Sequence, residues 1–304
     1  MEKKNKFLIV IVGPTAVGKT ELCIKLANTL NTEIVSADSR QFFMETELGT
    51  AKPNADELSR ATHHLVNTKS IHENYDVGEF EKDALSALED IFSKKNTAIL
   101  TGGSGLYINV VCEGMDEMPE IPSEIRQGVI SDYSSFGLEY LQEQIKVLDP
   151  EYYRTVDIKN PQRLMRALEV FRGTGRPFSS YRIKQKKERP FHVVKVALMR
   201  DREELYRRIE KRMDNMVEQG LFEEAEKLFP LRFLNALQTV GYTEIFGFLE
   251  GKYDREEAIR LLKRNSRRYA KRQLTWFRKD PTYNWFHPEQ FDEILDYIKG
   301  QINP

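Results

Sequence analysis

FLIVIVGPTAVGKT, residues 7–20, indicates the expected fold most directly. Its first part, Phe7–Val12, is uniformly apolar and predicts a buried strand. Its second part, 13–20, matches the phosphate-loop pattern G-x-x-x-x-G-K-[ST], and leucines then recur at four-residue spacing from Leu22 to Leu30. The stretch therefore predicts a strand, a phosphate-binding loop and a helix, the arrangement that opens many parallel α/β sheets.

The phosphate loop comprises Gly13, Pro14, Thr15, Ala16, Val17, Gly18, Lys19 and Thr20. Its glycines allow backbone N–H groups to surround an anion, and the N-terminus of the following helix adds partial positive charge. Lys19 is placed to reach terminal phosphate oxygens, and the Thr20 hydroxyl is placed to hold Mg²⁺. The loop thus predicts binding of ATP or of another di- or triphosphate, without specifying which.

Strands and helices alternate on both sides of this loop. Apolar runs at 33–36 and 96–101 predict further buried strands, and 192–199 alternates as another. This order predicts a P-loop NTPase-like parallel α/β sheet flanked by helices, with a helical C-terminal region and ligands at the carboxyl ends of the strands. Asp201 followed by Glu204 predicts a capping box at the start of the next helix.

A middle segment, 114–189, follows a different pattern. It opens with a proline-containing loop, and its apolar residues then recur at helical spacing without a convincing strand. We therefore predict a P-loop α/β core with a helical C-terminal part, formed by 1–113 and 190–304, and an inserted all-helical subdomain at 114–189.

Composition excludes several classes of protein. Apolar residues make up 40% of the chain and charged residues 31%, as in ordinary globular chains. No run approaches the ~18 apolar residues that a membrane span needs, so we expect no membrane association. The two cysteines, Cys23 and Cys112, form no metal or redox motif, which favours the reducing cytoplasm as the compartment.

The near-zero net charge conceals two basic runs. Residues 260–279 contain nine Lys or Arg and no acidic residue, which leaves 37 basic against 47 acidic residues elsewhere. A shorter run, Arg172 to Arg189, holds seven Lys or Arg against one acid, Glu188. A phosphate-rich partner would explain both runs, and a solvated helix face would explain either run alone equally well.

Three further places carry candidate functional side chains. Asp38 ends the second predicted strand, where its carboxylate could accept a proton beside the phosphate site or could simply cap a helix. Gln162 and Arg166 share one helix face, suited to a base edge and a phosphate or else to solvent. Arg208 and Arg212 are four residues apart and could neutralise a leaving diphosphate or remain surface charge.

Together these motifs resemble the bacterial tRNA dimethylallyltransferases, also called tRNA isopentenyltransferases. The matching segments run in the family's order over essentially the whole chain: GPTAVGKT at 13–20, SADSRQFF at 36–43, GTAKP at 49–53, TGGSGLY at 101–107, NPQRLMRALEVF at 160–171, RIEKRM at 208–213, VGYTE at 240–244 and AKRQLTWFR at 270–278. Several independent motifs make this resemblance far more specific than the phosphate loop alone.

The resemblance implies an activity, a donor and an acceptor. Such enzymes transfer a dimethylallyl group from dimethylallyl diphosphate to the exocyclic amine of the adenosine 3′-adjacent to the anticodon in tRNAs, and they release diphosphate with Mg²⁺ as cofactor. The phosphate loop would then bind a prenyl diphosphate, and the inserted helices would bind the anticodon stem-loop. The target adenine would be flipped out of its loop. We expect a monomer with these two substrates as partners.

The resemblance also implies roles for individual residues. Asp38 would be the general base, Lys19, Thr20 and Arg212 would bind the diphosphate with Mg²⁺ on Thr20, and Thr15 would line the donor site. The residues facing tRNA would be Asp38, Ser39, Arg40, Gln41, Ser104, Arg126, Gln162, Arg163, Leu164, Met165, Arg166, Gln238, Thr239, Val240, Gly241, Tyr242 and Thr243. Positions that depart from the family's usual pattern are Phe43, Ser104 and Thr243, where a tyrosine, a threonine and a basic residue are common. The GTAKP segment matches the family but has no predicted role.

Three alternatives remain. A related adenylate isopentenyltransferase would prenylate free AMP, although it would need neither the helical insertion nor the basic C-terminal helix. A P-loop nucleotide kinase would turn over ATP. A non-catalytic RNA-binding protein would keep its function after loss of Asp38.

Overall fold

The computed structural model describes residues 5–183 and 185–302. The ends of the predicted core, 1–4 and 303–304, and Lys184 of the predicted insertion and of the second basic run lie outside the described residues.

The described residues contain a six-stranded sheet in the order β3-β2-β4-β1-β5-β6, with every neighbouring pair parallel. The strands are β1 (Phe7–Val12), β2 (Ile34–Ser36), β3 (His63–His64), β4 (Thr97–Gly102), β5 (His192–Leu198) and β6 (Asn284–Phe286). β1 lies at the centre, between β4 and β5, and all of its residues are buried, as expected for a strand covered on both faces. The predicted parallel α/β class is confirmed.

The two edge strands, β3 and β6, are absent from the sequence-based prediction, which made the C-terminal part entirely helical. β3 has two residues and β6 has three, so neither is long enough to show period-two alternation. β6 nevertheless matters for the phosphate loop. It pairs with the end of β5, and a Cβ added to Gly18 would lie 3.6 Å from Cβ of Pro288, which follows β6.

Helices cover the sheet and make up the middle of the chain. They are α1 (Lys19–Thr29), α2 (Ala55–Arg60), α3 (Val77–Lys94), α4 (Gly105–Glu113), α5 (Ser123–Leu148), α6 (Pro150–Thr155), α7 (Pro161–Thr174), α8 (Arg202–Glu218), α9 (Leu221–Leu228), α10 (Thr243–Leu249), α11 (Arg255–Phe277) and α12 (Phe291–Ile302). In the described parts of the chain, none of them combines the length and the hydrophobicity that crossing a membrane requires.

α8 shows one correct and one wrong prediction. It buries Leu205, Ile209 and Met213, as their four-residue spacing predicts. Its predicted capping box is wrong, because Asp201 makes no side-chain hydrogen bond to the helix N-terminus. The carboxylate of Glu204, which would complete the box, pairs instead with the arginine that precedes the helix.

The chain divides into two compact units, Met1–Glu113 with Glu188–Pro304, and Gly114–Lys187. The second boundary therefore lies two residues before the predicted one between 189 and 190. The second unit contains α5, α6 and α7 around an apolar core of its own, and its described residues include no strand.

Within this second unit, the longest helix is α5. The helix is 26 residues long and is interrupted at Gly137, which has a φ of 76°. This left-handed conformation favours glycine. α7 has Pro161 in its first turn, and the Asn160 side chain caps the helix by accepting from the N–H of Arg163 at 3.3 Å.

Candidate active site

The phosphate loop connects the carboxyl end of β1 to α1. Gly13 and Gly18 have φ values of 155° and 111°, which L side chains rarely adopt. At Gly13 a side chain would also clash, because an added Cβ would lie 2.9 Å from the Leu198 carbonyl oxygen. The Lys19 ammonium folds back over the loop and donates to the carbonyl oxygens of Gly13 and Pro14 at 2.9 Å each. The motif therefore forms a closed loop at the end of the central strand.

Side chains of α8 and α11 form hydrogen bonds to this loop. Arg208 Nε donates to the Ala16 carbonyl oxygen at 2.8 Å, and the Arg212 guanidinium donates to the Thr15 hydroxyl at 3.3 Å. From α11, Gln273 Oε1 accepts from the Thr15 N–H at 2.8 Å, and its amide donates to the loop that follows β4. These contacts come from far along the chain and pre-organise the loop before any ligand binds.

A cavity of about 600 Å³ opens over the phosphate loop. Lys19, Thr20, Asp38 and Arg212 all line it, so the structure brings together the side chains predicted for the chemistry. Apolar side chains in its wall are Met213, Met216, Val240 and Leu262. The cavity thus offers both a polar floor and an apolar wall.

Asp38 follows β2, and its Oδ1 accepts from the backbone N–H of Arg40 at 3.0 Å. No helix begins at this turn, so the alternative role of Asp38 as a helix cap is wrong. Burial raises the pKa of the Asp38 carboxyl above its ordinary value, although the Arg40 N–H, the Lys19 ammonium and the Arg212 guanidinium act in the opposite direction. A carboxylate with a raised pKa is better matched to accepting a proton near neutral pH.

Burial also acts on the two cations of the site. It lowers the pKa of Lys19 to about 8, despite the opposing charge of Asp38. It also lowers the pKa of Arg212, whose guanidinium donates to the Ala51 carbonyl oxygen at 3.0 Å. Both cations are therefore desolvated, and an anion bound between them would favour their charged forms.

The GTAKP segment, which had no predicted role, supports Arg212. The carbonyl of Ala51 within it accepts one of the guanidinium hydrogen bonds. Glu224 on α9 anchors the start of the segment, because its carboxylate accepts from the N–H groups of Leu48 and Gly49 at 2.9 Å each. A carboxylate that accepts two backbone N–H groups holds that backbone in one conformation.

Ser104, after β4, is joined to the turn that carries Asp38. Its hydroxyl accepts from the Ser39 N–H at 3.0 Å and donates to the Ser39 hydroxyl at 3.1 Å. Tyr269 on α11 also lines the cavity, and burial together with the Asp38 charge raises the pKa of its phenol to about 12. An aromatic side chain at helical spacing normally indicates core packing, so the place of Tyr269 in the cavity could not be predicted from the sequence.

The residues of the α/β core that were predicted to face tRNA fall into separate environments. Those that line the cavity are Asp38, Arg40, Gln41, Thr239, Val240 and Gly241. Gln238 is exposed, and the Thr243 hydroxyl donates to the carbonyl oxygen of Thr239 at 3.1 Å. The Tyr242 side chain is fully buried and its hydroxyl donates to Glu224, and contact of the segment 238–243 with tRNA stays a prediction.

In the inserted unit, two residues of the segment 162–166, which was predicted to face tRNA, are buried. Leu164 and Met165 belong to the core of that unit. Both side chains pack α7 against α5, and contact between the segment 162–166 and tRNA stays a prediction. Gln162 and Arg163, which precede them, are exposed.

The two other predicted cations of this unit share one carboxylate. Arg166 lies 3.3 Å from Glu169, and the exposed Arg126 of α5 lies 3.8 Å from the same side chain. Glu169 is buried, so it orients Arg166 and Arg126 while leaving each of them partly open to solvent.

The basic run on α11 divides into two halves. In the first half, three of the cations are held by acidic neighbours, in the pairs Arg260–Glu257, Lys263–Asp214 and Arg267–Glu210. In the second half, a cavity of about 380 Å³ is lined by Arg268, Lys271, Arg272, Thr275, Trp276 and Lys279. Among the residues the structure describes, these four cations form no ion pair. The second half is therefore a surface that can accept phosphate groups beside an aromatic ring.

Comparison with known proteins agrees with this geometry. The sequence model of the IPP transferase family matches residues 41–280. A protein of Christiangramia forsetii named tRNA dimethylallyltransferase is 52% identical over 303 residues, which cover 98% of this chain and 99% of that one. The chain belongs to the IPP transferase family.

Solved structures of the family have the same fold. The tRNA isopentenylpyrophosphate transferase of Bacillus halodurans aligns with a TM-score of 0.72 and 36% identity, over 98% of this chain and 97% of that one. A eukaryotic dimethylallyltransferase described as acting on tRNA aligns with a TM-score of 0.70 and 26% identity, over 89% of this chain and 69% of that one. The resemblance inferred from the motifs is confirmed, and the chain is a prenyltransferase.

Several polar residues that support the site of this IPP transferase were missed by sequence analysis. They are Arg200, Glu224, Tyr269 and Gln273. Gln273 and Tyr269 lie within or beside the matched AKRQLTWFR motif, so the motif was a signal without an assigned role. Arg200 and Glu224 lie outside the quoted motifs, and only their contacts reveal them.

Proposed function

We propose that this protein transfers the dimethylallyl group of dimethylallyl diphosphate to the exocyclic amine of the adenosine 3′-adjacent to the anticodon in tRNAs. In this reaction a bond forms between the amine nitrogen and C1 of the donor, the bond from C1 to oxygen breaks, and diphosphate leaves. Asp38 takes the proton that the amine loses. The observation that carries the proposal is that Asp38 lines the same cavity as the phosphate loop.

Lys19, Arg212 and the phosphate loop meet the charge of the leaving diphosphate. Burial disfavours the charged forms of both side chains, so negative charge that develops on the leaving group is stabilised strongly there. The first backbone N–H groups of α1 have no partner within the helix and add further donors. The apolar wall at Val240 and Leu262 would accept the prenyl chain.

The cofactor proposed for this site is Mg²⁺. The Thr20 hydroxyl lines the cavity beside Lys19 and, among the described residues, makes no hydrogen bond to the protein, so it is open to a metal. Mg²⁺ commonly takes one or two protein oxygens and completes its shell with phosphate oxygens and water. When bound, it would neutralise part of the diphosphate charge.

Asp38 serves as the base because the reaction needs a carboxylate that is ionised yet able to take up a proton. Burial raises its pKa toward the working range, and the hydrogen bond from the Arg40 N–H holds one carboxylate oxygen in place. The exocyclic amine of adenine is a poor nucleophile, so its proton needs to leave only as the new bond forms. This requires the base to be flipped out of the RNA loop into the cavity.

RNA binding is proposed for two surfaces. The inserted unit offers Gln162 and Arg163 in the open and Arg166 beside Glu169. The second half of the α11 run offers four cations around Trp276. We expect the protein to bind an anticodon stem-loop as a monomer, in the cytoplasm where its proposed tRNA substrate occurs.

A transfer assay tests the proposed function. The protein is incubated with Mg²⁺, radiolabelled dimethylallyl diphosphate and an anticodon stem-loop that carries adenosine at the 3′-neighbouring position. We expect label in the RNA with the parent protein, none with Asp38→Asn, and full activity with Asp90→Asn, which changes an exposed aspartate of α3. Retained RNA binding by Asp38→Asn separates chemistry from affinity.

The same assay distinguishes the alternatives. Label on added AMP but not on RNA would identify an adenylate prenyltransferase. Consumption of ATP with no prenyl transfer would identify a nucleotide kinase. RNA binding that persists with no transfer to any acceptor would indicate a non-catalytic RNA-binding protein.

A further inference from the structure

Arg200 lies behind the phosphate loop, between the end of β5 and the start of α8. Its Nε donates to the Val17 carbonyl oxygen at 2.9 Å. The side chain is only 6% exposed, and it does not belong to the lining of the cavity over the loop. In this respect it differs from Arg208, which holds the neighbouring Ala16 carbonyl but is exposed and lines the cavity.

The contact between Arg200 and Val17 determines where the next N–H group points. In a trans peptide, the carbonyl and the following N–H point in opposite directions. Because Arg200 holds the Val17 carbonyl on the outer side of the loop, the Gly18 N–H is turned toward the inner side. Gly18 lines the cavity, and within the described chain its N–H has no hydrogen-bond partner. A donor to the carbonyl also polarises the peptide and strengthens the N–H on its other end.

Arg200 is itself held in one orientation by acidic and aromatic neighbours. Its Nη1 donates to a carboxylate oxygen of Glu204 and to Glu289 at 3.1 Å, and it lies 3.3 Å from His287 Nε2. Glu204 is on α8, whereas His287 and Glu289 follow β6, so the guanidinium joins two separate elements to the loop. A lysine could not supply the same fork, because it lacks the planar set of donors.

From these contacts we propose that Arg200 is a positioning residue for diphosphate binding, acting through the Val17–Gly18 peptide. The proposal rests on the proposed function only in taking the diphosphate of the donor as the ligand. Arg200 touches no substrate. It aims one N–H of the phosphate loop at the position of the diphosphate, and the carboxylates of Glu204 and Glu289 keep it there.

Binding of inorganic diphosphate with Mg²⁺, measured by calorimetry on the full chain, tests this proposal. Arg200→Met removes the donor and keeps much of the side chain's volume. Arg207→Met is the matched control, because Arg207 is an exposed arginine on α8 for which no hydrogen bond or ion pair is described. We expect Arg200→Met to weaken diphosphate binding by about tenfold and Arg207→Met to change it by less than about twofold.

If Arg200 only stabilised the fold, its loss would weaken donor and RNA binding equally. We expect Arg200→Met to raise the KM for dimethylallyl diphosphate while the KM for the RNA stem-loop stays at the parent value. Diphosphate affinity within about twofold of the parent would overturn the proposal, as would equal losses of donor and RNA affinity. If Arg200→Met does not fold, Arg200→Lys serves as the test variant. We expect it to lose diphosphate affinity selectively, but by a smaller factor.

Failure of the proposed function remains separable from failure of this inference. A parent protein that binds diphosphate but transfers no prenyl group to RNA would remove the function and leave the Arg200 test intact. A parent protein that prenylates RNA, together with an Arg200→Met variant that binds diphosphate normally, would remove only the inference.

Discussion

The phosphate loop and the inserted helices differ in whether their polar groups are paired within the protein or exposed to solvent. In the loop, the carbonyls of Gly13, Pro14, Ala16 and Val17 each accept from a lysine or arginine side chain. On α7 of the insertion, Gln162 and Arg163 are exposed, and no side-chain hydrogen bond is described for either. These four loop carbonyls are paired within the protein, whereas the two α7 side chains present their donors to solvent.

This difference matches what each region is proposed to do. Chemistry on a diphosphate requires donors that are fixed before the charge develops, because reorganisation during the reaction would raise the barrier. Contact with an RNA backbone requires side chains that can leave water for a phosphate, and such contacts mainly set affinity and position. Substitutions in the first region should therefore affect catalysis, and substitutions in the second should affect RNA affinity.

The largest effect is expected for Asp38→Asn. Loss of a general base lowers kcat by about 10³-fold, which single-turnover measurements on the bound complex would show. A fall of less than about tenfold would exclude Asp38 as the base and would weaken the contrast between the regions.

Asp38→Asn should also leave stability unchanged or raise it. The pKa of Asp38 in the folded protein is raised by burial, so folding favours the neutral form and its stability contribution falls as pH rises through that pKa. At neutral pH the ionised carboxylate is therefore a cost that asparagine removes. In the parent enzyme the rate should fall as pH drops through the same raised pKa. Thermal unfolding measures the predicted change in stability, and a pH–rate profile measures the predicted fall in rate at low pH.

Arg212→Gln is expected to have the next largest effect. It removes a desolvated cation along with the hydrogen bonds to Thr15 and to Ala51. We expect kcat/KM for the donor to fall by about 10²-fold, with RNA affinity unchanged. Arg208→Gln, at an exposed arginine that holds one carbonyl, should cost less. Equal losses of kcat/KM for the two variants would show that burial does not increase the contribution of Arg212.

The double substitution Gln162→Ala with Arg163→Ala should have a moderate effect of a different kind. We expect the KM for the stem-loop to rise by about threefold to tenfold, with kcat unchanged. The slope of log affinity against log salt should become shallower by about 0.7 to 0.9 for one lost phosphate contact. Arg154→Ala, at an exposed arginine of α6, is the control. A loss in kcat instead would mean that the insertion takes part in chemistry.

The smallest expected effect is a difference in the number of protons taken up when diphosphate binds. The pKa of Lys19 is lowered to about 8 by burial, so about half of the molecules lack this charge at pH 8. A bound diphosphate favours the ammonium, so the parent should take up about half a proton more than Lys19→Arg on binding diphosphate at pH 8. Calorimetry in buffers of different ionisation enthalpy measures this difference. No difference between the two proteins would show that Lys19 is already fully charged.

Features that are encoded over short distances could be predicted from the sequence. The apolar run Phe7–Val12 and the glycine pattern after it predicted the central strand and the phosphate loop, and helical spacing predicted the all-helical insertion. These succeed because a buried strand, a glycine-dependent loop and an amphipathic helix each follow from neighbouring residues. Local pattern alone was ambiguous for Asp38 and failed at the capping box of α8 and at the two short edge strands.

The identity of the distant side chains that complete the site follows only from the folded chain. Gln273 reaches Thr15 across 258 residues of sequence, Arg200 reaches Val17 across 183, and Glu224 reaches Gly49 across 175. The fold also places the Tyr242 side chain in the core, within a segment predicted to face RNA. The physical reason is that a polar group inside a protein must find a hydrogen-bond partner wherever the fold brings one, and the path of the chain determines that partner, not the spacing of its neighbours.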